Sequence, residues 1–340
     1  MKKVLSTIFL LVFLVVALDA TAKSSKLDKV KIISAEQLDY KDGNSVLIGN
    51  VKIQLGEFTI DAPRVYIDSD KDGKSEKARF ENGVVLDSEK LSIQAPRMEL
   101  DVETSVLKCF ANGTTLVQTD IYGKKQASIL AAYQEIDLSK GFARASSEAE
   151  QIRFISQDVN IKANTMELEF KNGNEIQYVD FLTNVVALTD NQRIESQELL
   201  YFPELEMMKA YDDVKVLHLD SNASSYLFAD ALIYEKTKHA LSVFSRGIER
   251  YAEIHSDDIY GKSRQILVNI AEDNSIDSAI LTGNAYAQHK DKSIVAYEIL
   301  FDVKKKQLET IVGRPHTQLL KIEKEIKADS KKTKKPRKDI

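Results

Sequence analysis

The sequence has a single cysteine, Cys109, among 340 residues, so no disulfide can form within the chain. A chain of this length can bury enough surface to fold without such crosslinks. Proline and glycine are also scarce, with 5 and 13 residues, and no linker rich in them divides the body of the chain. The five histidines are dispersed, without a pair at metal-ligand spacing. These absences exclude a disulfide-stapled scaffold and give no support to a zinc site.

Catalytic motifs are also missing. The sequence contains no nucleophile elbow, no P-loop and no dinucleotide-binding fingerprint. Carboxylates are abundant, but no pair stands out for acid-base chemistry without a cleft to hold it. We therefore predict a protein that is not an enzyme and that uses no cofactor.

One acidic segment resembles the opening of a calcium-binding loop. Asp68, Asp70 and Asp72 alternate before Gly73, as in an EF-hand. Such a loop needs a bidentate glutamate at its twelfth position, where this sequence has Arg79, and it needs flanking helices where we predict strands. The segment is interpreted as an acidic turn between strands, so we predict no metal site. Calcium at the three aspartates is the alternative.

The N-terminus has the pattern of a secretory signal. Lys2 and Lys3 precede an apolar stretch, Val4 to Leu18, and Ala20-Thr21-Ala22 supplies the small-x-small cleavage pattern. The apolar stretch is shorter than the roughly 20 residues that span a bilayer, and no cysteine follows it for a lipoprotein anchor. We predict a signal peptide at residues 1–22. The alternative is an uncleaved membrane anchor.

Charge is unevenly distributed along the chain. The whole sequence carries −5, residues 1–22 carry +1 and the last 20 residues, 321–340, carry +5, which leaves −11 on residues 23–320. An acidic body argues against a nucleic-acid partner. We interpret 321–340 as a basic disordered tail, with contact to anionic lipid headgroups or a partner as the alternative.

The body, residues 23–320, contains an internal repeat. Gly49–Asp68 and Asn82–Asp101 align at an offset of 33 residues, and both contain Ala-Pro-Arg, at Ala62-Pro63-Arg64 and Ala95-Pro96-Arg97. Weaker copies follow at intervals of 29 to 37 residues, apart from one interval of 72. Their marker positions are Asn112, Asn184, Asp213, Gly247 and Asn284. Such a period is typical of stacked repeats.

Each repeat shows the alternation of a half-buried β-strand. Val51 and Ile53 are apolar while Lys52 and Gln54 are polar, which is a period of two. Asn-Gly at Asn82, Asn112 and Asn172 predicts turns between strands. Pro63 and Pro96 predict a bulge or a sheet edge, because proline cannot donate to a sheet ladder. The sequence thus predicts an all-β, antiparallel, solenoid-like stack of strand-turn-strand units with open edges at its ends.

Two segments carry a family resemblance. Leu281–Gly313, through Gly283-Asn284-Ala285 and Ile294-Val295-Ala296, resembles the OstA-like domain of the LptA family, which is also the periplasmic part of LptD. Ser34–Asp68 fits the same pattern through Leu38, Tyr40 and Gly49-Asn50-Val51. The resemblance implies an elongated open β-jellyroll whose two sheets form a trough for lipopolysaccharide acyl chains. The body is longer than one such domain, which indicates two fused units, at about 30–150 and 151–320, with a variant subfamily as the alternative.

The resemblance also implies a function and partners. We expect a periplasmic bridge that carries lipopolysaccharide or a related glycolipid from the inner to the outer membrane of a bacterium. Its partners would be an inner-membrane anchored transport protein and an outer-membrane barrel, joined by edge-strand addition, with possible head-to-tail self-association. The alternatives are a structural β-solenoid scaffold filled by its own side chains, and a membrane-anchored assembly factor resembling LptC.

Strand parity gives the candidate trough residues. An apolar face on every strand, with no helix to cover it, must close on itself or hold an apolar ligand. The predicted lipid-binding positions are Val51, Ile53, Phe58, Ile60, Val65, Ile67, Leu91, Ile93, Met98, Leu100, Ile161, Met166, Leu168, Val186, Leu188, Ala285, Ile294 and Phe301.

Overall fold

A computed structural model describes most of the predicted body. The described residues are 30–41, 44–70, 75–89, 91–119, 125–147, 151–171, 175–219, 224–247, 250–256, 259–272, 275–290, 292–302, 307–312 and 318–321. The predicted signal peptide, Asp72, Asn172 and all of the predicted basic tail except Lys321 lie outside them.

The described chain forms 24 strands and two short 3₁₀ turns, which confirms the prediction of an all-β fold. The first eight strands are β1 (Val30–Ser34), β2 (Gln37–Lys41), β3 (Asn44–Leu55), β4 (Phe58–Ser69), β5 (Ser75–Asp87), β6 (Leu91–Asp101), β7 (Val106–Thr119) and β8 (Lys125–Asp137). The next eight are β9 (Phe142–Ser146), β10 (Ile152–Ser156), β11 (Asn160–Ala163), β12 (Thr165–Lys171), β13 (Glu175–Leu188), β14 (Gln192–Phe202), β15 (Met207–Leu219) and β16 (Ser224–Glu235). The last eight are β17 (Ala240–Phe244), β18 (Ala252–Ser256), β19 (Ile259–Ser263), β20 (Gln265–Ile270), β21 (Ile276–His289), β22 (Lys292–Asp302), β23 (Gln307–Val312) and β24 (Gln318–Lys321). The 3₁₀ turns are Pro203–Leu205 and Lys236–Lys238.

The chain divides into two compact units. Unit 1 comprises the described residues up to Lys125 together with Ala132–Phe142, and unit 2 comprises Gln126–Ala131 together with the described residues from Ala143 onward. Strand β8 therefore supplies residues to both. The interpretation of two fused OstA-like domains, divided at 150/151, stays a prediction. Within the described chain, no helix has the length and apolar character needed to cross a membrane.

All the described strand pairings are antiparallel, and the long strands pair in chain order. In unit 1, β3 pairs with β4, β4 with β5, β5 with β6 and β6 with β7. Both short strands β1 and β2 pair with β3, one with each half of it. In unit 2 the same arrangement recurs around β13, which pairs with β12 before its midpoint and with β11 after it.

The long strands bend near their midpoints, where the register shifts; we call these positions corners. At five corners two successive residues have left-handed backbone, with φ of 76° and 42° at Gly49 and Asn50, and 72° and 89° at Asn82 and Gly83. The other three pairs are Thr183-Asn184, Asp212-Asp213 and Gly283-Asn284. Glycine, asparagine and aspartate tolerate this conformation best, which explains why the repeat is marked by them. Each such pair widens the ladder as a bulge does.

The prediction of turns at two Asn-Gly pairs is wrong. Asn82-Gly83 lies inside β5, and Asn112-Gly113 lies inside β7, at the corner opposite Pro96. A preference for positive φ serves a tight turn and a corner equally, so the dipeptide alone does not distinguish them. Asn172, the third pair, lies outside the described residues.

The two prolines of the repeat lie at corners, as the prediction of a bulge or an edge allowed. Pro63 falls in the register break of β4 and Pro96 in that of β6. Both strands are paired on both sides, so these positions are bulges and not edges. Because the ladder is already interrupted there, the missing proline N–H costs no strand pairing.

In unit 2 the corners fold the strands into two facing layers. The first layer contains β10, β11, β18, β19 and the halves of the long strands that pair with them; the second contains β12, β17, β20 and the remaining halves. The Phe154 ring, on β10, meets the rings of Phe181 and Tyr201 in the second layer edge-on, with centroids 5.5 and 5.6 Å away. The layers therefore enclose an interior between them.

Candidate functional site

The apolar face of the strands forms the interior. Sixteen of the eighteen predicted trough residues are buried, and the least buried of them, Ile67, exposes only 7% of its surface. These are Val51, Ile53, Phe58, Ile60, Val65, Ile67, Leu91, Ile93, Met98, Leu100, Ile161, Met166, Leu168, Ala285, Ile294 and Phe301. Burial of each large aliphatic or aromatic side chain contributes about 1.5–3 kcal/mol to folding. Their role in binding lipid stays a prediction.

Two predicted positions lie on the opposite face. Val186 and Leu188 are only half-buried, whereas their neighbours Val185 and Ala187 are buried. The segment Val185–Leu188 is apolar throughout, so it shows no alternation from which parity could be assigned. The signal that would have found the right register is the corner marked by Asn184, because the residue after each left-handed pair points inward, as Val51 does after Gly49-Asn50.

Three large side chains of the interior were not among the predicted positions. Phe80, Phe154 and Phe181 are among the largest fully buried side chains, and none was predicted. Phe80 stands between the polar residues Arg79 and Glu81, so alternation within β5 would have found it. Phe154 lies in the short strand β10, where four of five residues pair with β8, and a five-residue alternation is a poor signal.

Unit 2 contains a cavity of about 90 Å³ that reaches the surface between the turns of its two layers. The turn after β10 contributes Asp158 and the turn after β13 contributes Asp190, from the first layer. The second layer contributes Glu206 and Lys236, which lie at the two 3₁₀ turns. We call this opening, lined by Asp158, Val159, Thr189, Asp190, Asn191, Gln192, Tyr201, Glu206, Met208, Tyr234, Lys236 and Ile270, the slot.

Two polar contacts connect the layers across the slot. Lys236 Nζ lies 2.8 Å from Asp158 Oδ1, and both side chains are about half-exposed. The hydroxyls of Ser156, in the first layer, and Tyr201, in the second, lie 3.5 Å apart. The hydrogen bond to Asp158 raises the pKa of Lys236 above its ordinary value, and burial raises the pKa of Tyr201. Lys236 is therefore charged and Tyr201 neutral at physiological pH.

A smaller cavity of about 10 Å³ lies deeper in unit 2. It shares Gln192 and Ile270 with the slot and is lined by side chains of both layers, among them Val216, Leu241 and Val268. The slot thus leads from charged turns toward the apolar interior.

In the first layer, a row of polar side chains lies between the charged turns and the apolar interior. Gln192 pairs with His218, and His218 pairs with Ser225, on three successive strands; all three are buried. The Ser225 hydroxyl donates to Ser256 Oγ at 3.1 Å. We call Gln192, His218 and Ser225 the polar rim. The next inward row is apolar and comprises Ile194, Val216, Leu227 and Ile254.

The first two strands present an apolar edge. Leu38 and Tyr40 of β2 expose 57% and 71% of their surface, and Ile32 and Ile33 of β1 more than 40%. In the described chain, β1 and β2 each pair with β3 only. Their other edges therefore offer backbone groups and apolar side chains to an added strand.

A comparison with protein families concerns one segment of the chain. Its matching family is described as "LptA/(LptD N-terminal domain) LPS transport protein". Residues 33–142 match this family. The resemblance expected from the sequence is thereby confirmed for this LptA/LptD-like segment, and the family is one of transport components, not of enzymes. A comparison with curated protein sequences finds no match.

A solved structure is also similar to the chain. It is LptH of Pseudomonas aeruginosa, described as the LptA homologous periplasmic component of the lipopolysaccharide transport device. It is 9% identical, with 57% of this chain and 93% of that chain covered and a TM-score of 0.23.

The calcium alternative gains no support from the described residues. Asp68 lies at the end of β4 and Asp70 just after it, while Asp72 is outside the described chain. The Arg79 guanidinium stacks over the Tyr66 ring at 4.6 Å and turns toward Glu81, 3.4 Å away. Within the described chain, no three histidine, cysteine, aspartate or glutamate side chains are grouped to hold a metal ion.

Proposed function

We propose that this chain binds lipopolysaccharide or a related glycolipid in the periplasm and passes it from the inner to the outer membrane without catalysis. The observation that carries the proposal is that the segment matching the lipopolysaccharide-transport family, residues 33–142, has an apolar face on every long strand, turned inward. The acyl chains would lie against these inward side chains. An interior of this chemistry selects alkyl chains by burial of apolar surface.

The interior must open to accept such a ligand. Its described side chains are almost fully buried, and the slot cavity of about 90 Å³ is smaller than the roughly 300 Å³ at which ligand pockets begin. Two facing layers joined along bent strands can part without breaking a strand pairing. We therefore expect bound lipid to separate the layers.

Assembly with partners would use strand edges. The exposed edge of β1 and β2, with Leu38 and Tyr40, suits addition of a strand from an inner-membrane anchored partner, an outer-membrane barrel or a second copy of this chain. A head-to-tail arrangement would join apolar interiors into a path for lipid. The same edge is an aggregation hazard if it stays unpaired.

Photo-crosslinking tests the proposal. A photoreactive amino acid at Ile60 or Ile93 should capture lipopolysaccharide in cells, and mass spectrometry of the purified protein should find the same lipid. The adjacent outward positions Thr59 and Ser92 are the matched controls and should capture little. Protein that carries no lipid, with silent crosslinkers at Ile60 and Ile93, would contradict the proposal and favour a self-filled scaffold.

A further inference from the structure

The slot of unit 2 contains a buried hydrogen-bond acceptor without a partner. Gln192 is 5% exposed, and its side-chain oxygen Oε1 is fully buried with no donor within hydrogen-bond distance. Buried polar atoms are usually paired, so an unpaired one points to a missing donor. Gln192 lines both the slot and the deeper cavity, which places this acceptor where the two meet.

The surroundings of Gln192 change from polar to apolar over one step along the strand. Of the polar rim, Gln192 lines both the slot and the deeper cavity, and His218 and Ser225 line the deeper cavity. The next inward row consists of Ile194, Val216, Leu227 and Ile254. A ligand matched to this layering has a hydrogen-bond donor at the start of an alkyl chain.

The charge of the slot decides which donor fits. Of the described residues that line it, Asp158, Asp190 and Glu206 are acidic and Lys236 is basic. Lys236 is engaged with Asp158, which leaves two carboxylates and an electronegative opening. Phosphate or carboxylate would be repelled there, whereas a neutral hydroxyl or amide N–H would not.

Building on the function proposed above, we propose that the slot admits one acyl chain of the lipid. An amide N–H or hydroxyl near the start of the chain donates to Gln192 Oε1, and the alkyl part lies among Val216, Leu241 and Val268. The Lys236–Asp158 ion pair joins the two layers across the opening and holds it closed. Lipid phosphates stay outside.

A matched pair of ligands tests the acceptor. N-methyltetradecanamide has the N–H donor, and methyl tetradecanoate replaces it with an oxygen; each can carry a diazirine near the end of its chain. One neutral hydrogen bond predicts that the amide binds the full-length protein about 2- to 10-fold more tightly. Photolabelling should mark peptides containing Val216, Leu241 or Val268.

Variants at Gln192 test whether this residue causes the preference for the amide over the ester. Gln192→Leu should bring the two affinities to a ratio near 1, with Gln192→Met as a second variant should the first fail to fold. Gln265→Leu, at the corner end of β20, is the control and should keep the preference. A preference that survives in Gln192→Leu, or labels confined to other peptides, would overturn the assignment.

A kinetic measurement tests the ion pair. Lys236→Met or Asp158→Asn should accelerate binding of the amide about 2- to 5-fold, the effect of losing a half-exposed pair. Lys238→Met is the control, because Lys238 pairs with Glu235 in the same 3₁₀ turn at 2.6 Å without crossing the slot. Equal rates for wild type and Lys236→Met would overturn the closing role. Lipid captured at Ile60 and Ile93 despite negative slot results would overturn this inference alone.

Discussion

The two units share long antiparallel strands with a register shift at each corner, but they differ in how many polar side chains they bury. In the described chain, unit 1 buries two polar side chains, Ser105 and Gln134. Unit 2 buries seven, which are Ser128, Gln192, Ser196, His218, Ser225, Ser263 and Ser293. At the corresponding ends of the unit 1 strands β3, β4 and β6, the buried side chains are Leu55, Phe58 and Leu91.

Corners and alternating strands occur in both units and set the fold, whereas the polar rim belongs to unit 2. The matched family segment and unit 1 both end at residue 142. Most of unit 2 lies outside that match, and this unit contains the slot, the polar rim and the two 3₁₀ turns. We expect unit 1 to be the more rigid apolar body and unit 2 to be where the interior opens.

The largest expected effect comes from removing one buried ring in each unit. Phe154→Ala in unit 2 and Phe80→Ala in unit 1 should each lower the free energy of unfolding by about 3–5 kcal/mol, because both leave a cavity. Denaturant unfolding of the two variants measures this.

Cys109 reports on which unit opens. Burial raises the pKa of its thiol to about 12, so it is neutral and unreactive while unit 1 is folded. Phe80→Ala should accelerate alkylation of Cys109 at pH 8, and Phe154→Ala should leave the rate nearly unchanged. Equal acceleration by both variants would show that the units unfold together.

A smaller effect is expected at the corners. Asn50→Val in unit 1 and Asn184→Val in unit 2 place a β-branched residue in left-handed backbone, at a cost of about 1–2 kcal/mol. Asn50→Val also removes the hydrogen bond that Asn50 Nδ2 donates to Glu36 Oε1 at 2.6 Å, so its cost should be the larger. Asn50→Gly keeps the backbone and isolates that bond. If thermal unfolding shows that Asn184→Val is the more destabilising variant, the two corners are not equivalent.

The smallest effect concerns pH and unit 2. Burial, then Glu198 and Glu167, raise the pKa of Asp180 to about 6. The folded state therefore binds a proton that the unfolded state has lost between about pH 4 and 6, so this group's stabilising effect is present at pH 4 and is lost as pH rises through 6. Because Asp180 is partly exposed, we expect roughly 1 kcal/mol.

Asp180→Asn should reduce the pH dependence of the free energy of unfolding. Denaturant unfolding of unit 2 at pH 5 and pH 7 measures it. Asp61→Asn is the matched control, because it also removes one strand carboxylate, 3.4 Å from Lys52, but in unit 1. If the free energy of unfolding of Asp180→Asn depends on pH as in the wild type, other groups cause the pH dependence.

Much of the fold follows from local sequence rules. The period of two placed Val51, Ile53, Ile60 and Ile93 correctly in the interior, because polar residues separate them on each strand. The same rule failed at Val186 and Leu188, where the apolar run has no alternation.

The slot had no signal in the sequence. It depends on Asp158 and Lys236, which are 78 positions apart and meet only because two layers face each other. Gln192, at the first position of β14, is equally inconspicuous. Contacts between residues distant in the chain follow from the packing of the layers, which alternation within a strand does not encode.

The corners also limit how the chain can change in length. On β5 the inward residues Phe80 and Val84 are four positions apart across the corner, and on β4 Ala62 and Val65 are three apart. Loss of one residue at Asn82-Gly83 would move every later side chain of β5 to the opposite face of the sheet. Val84 and Leu86 would turn to solvent, and Asp87 would turn inward. Repeats of this kind can therefore lengthen freely at their hairpin turns, but at a corner only in pairs of residues.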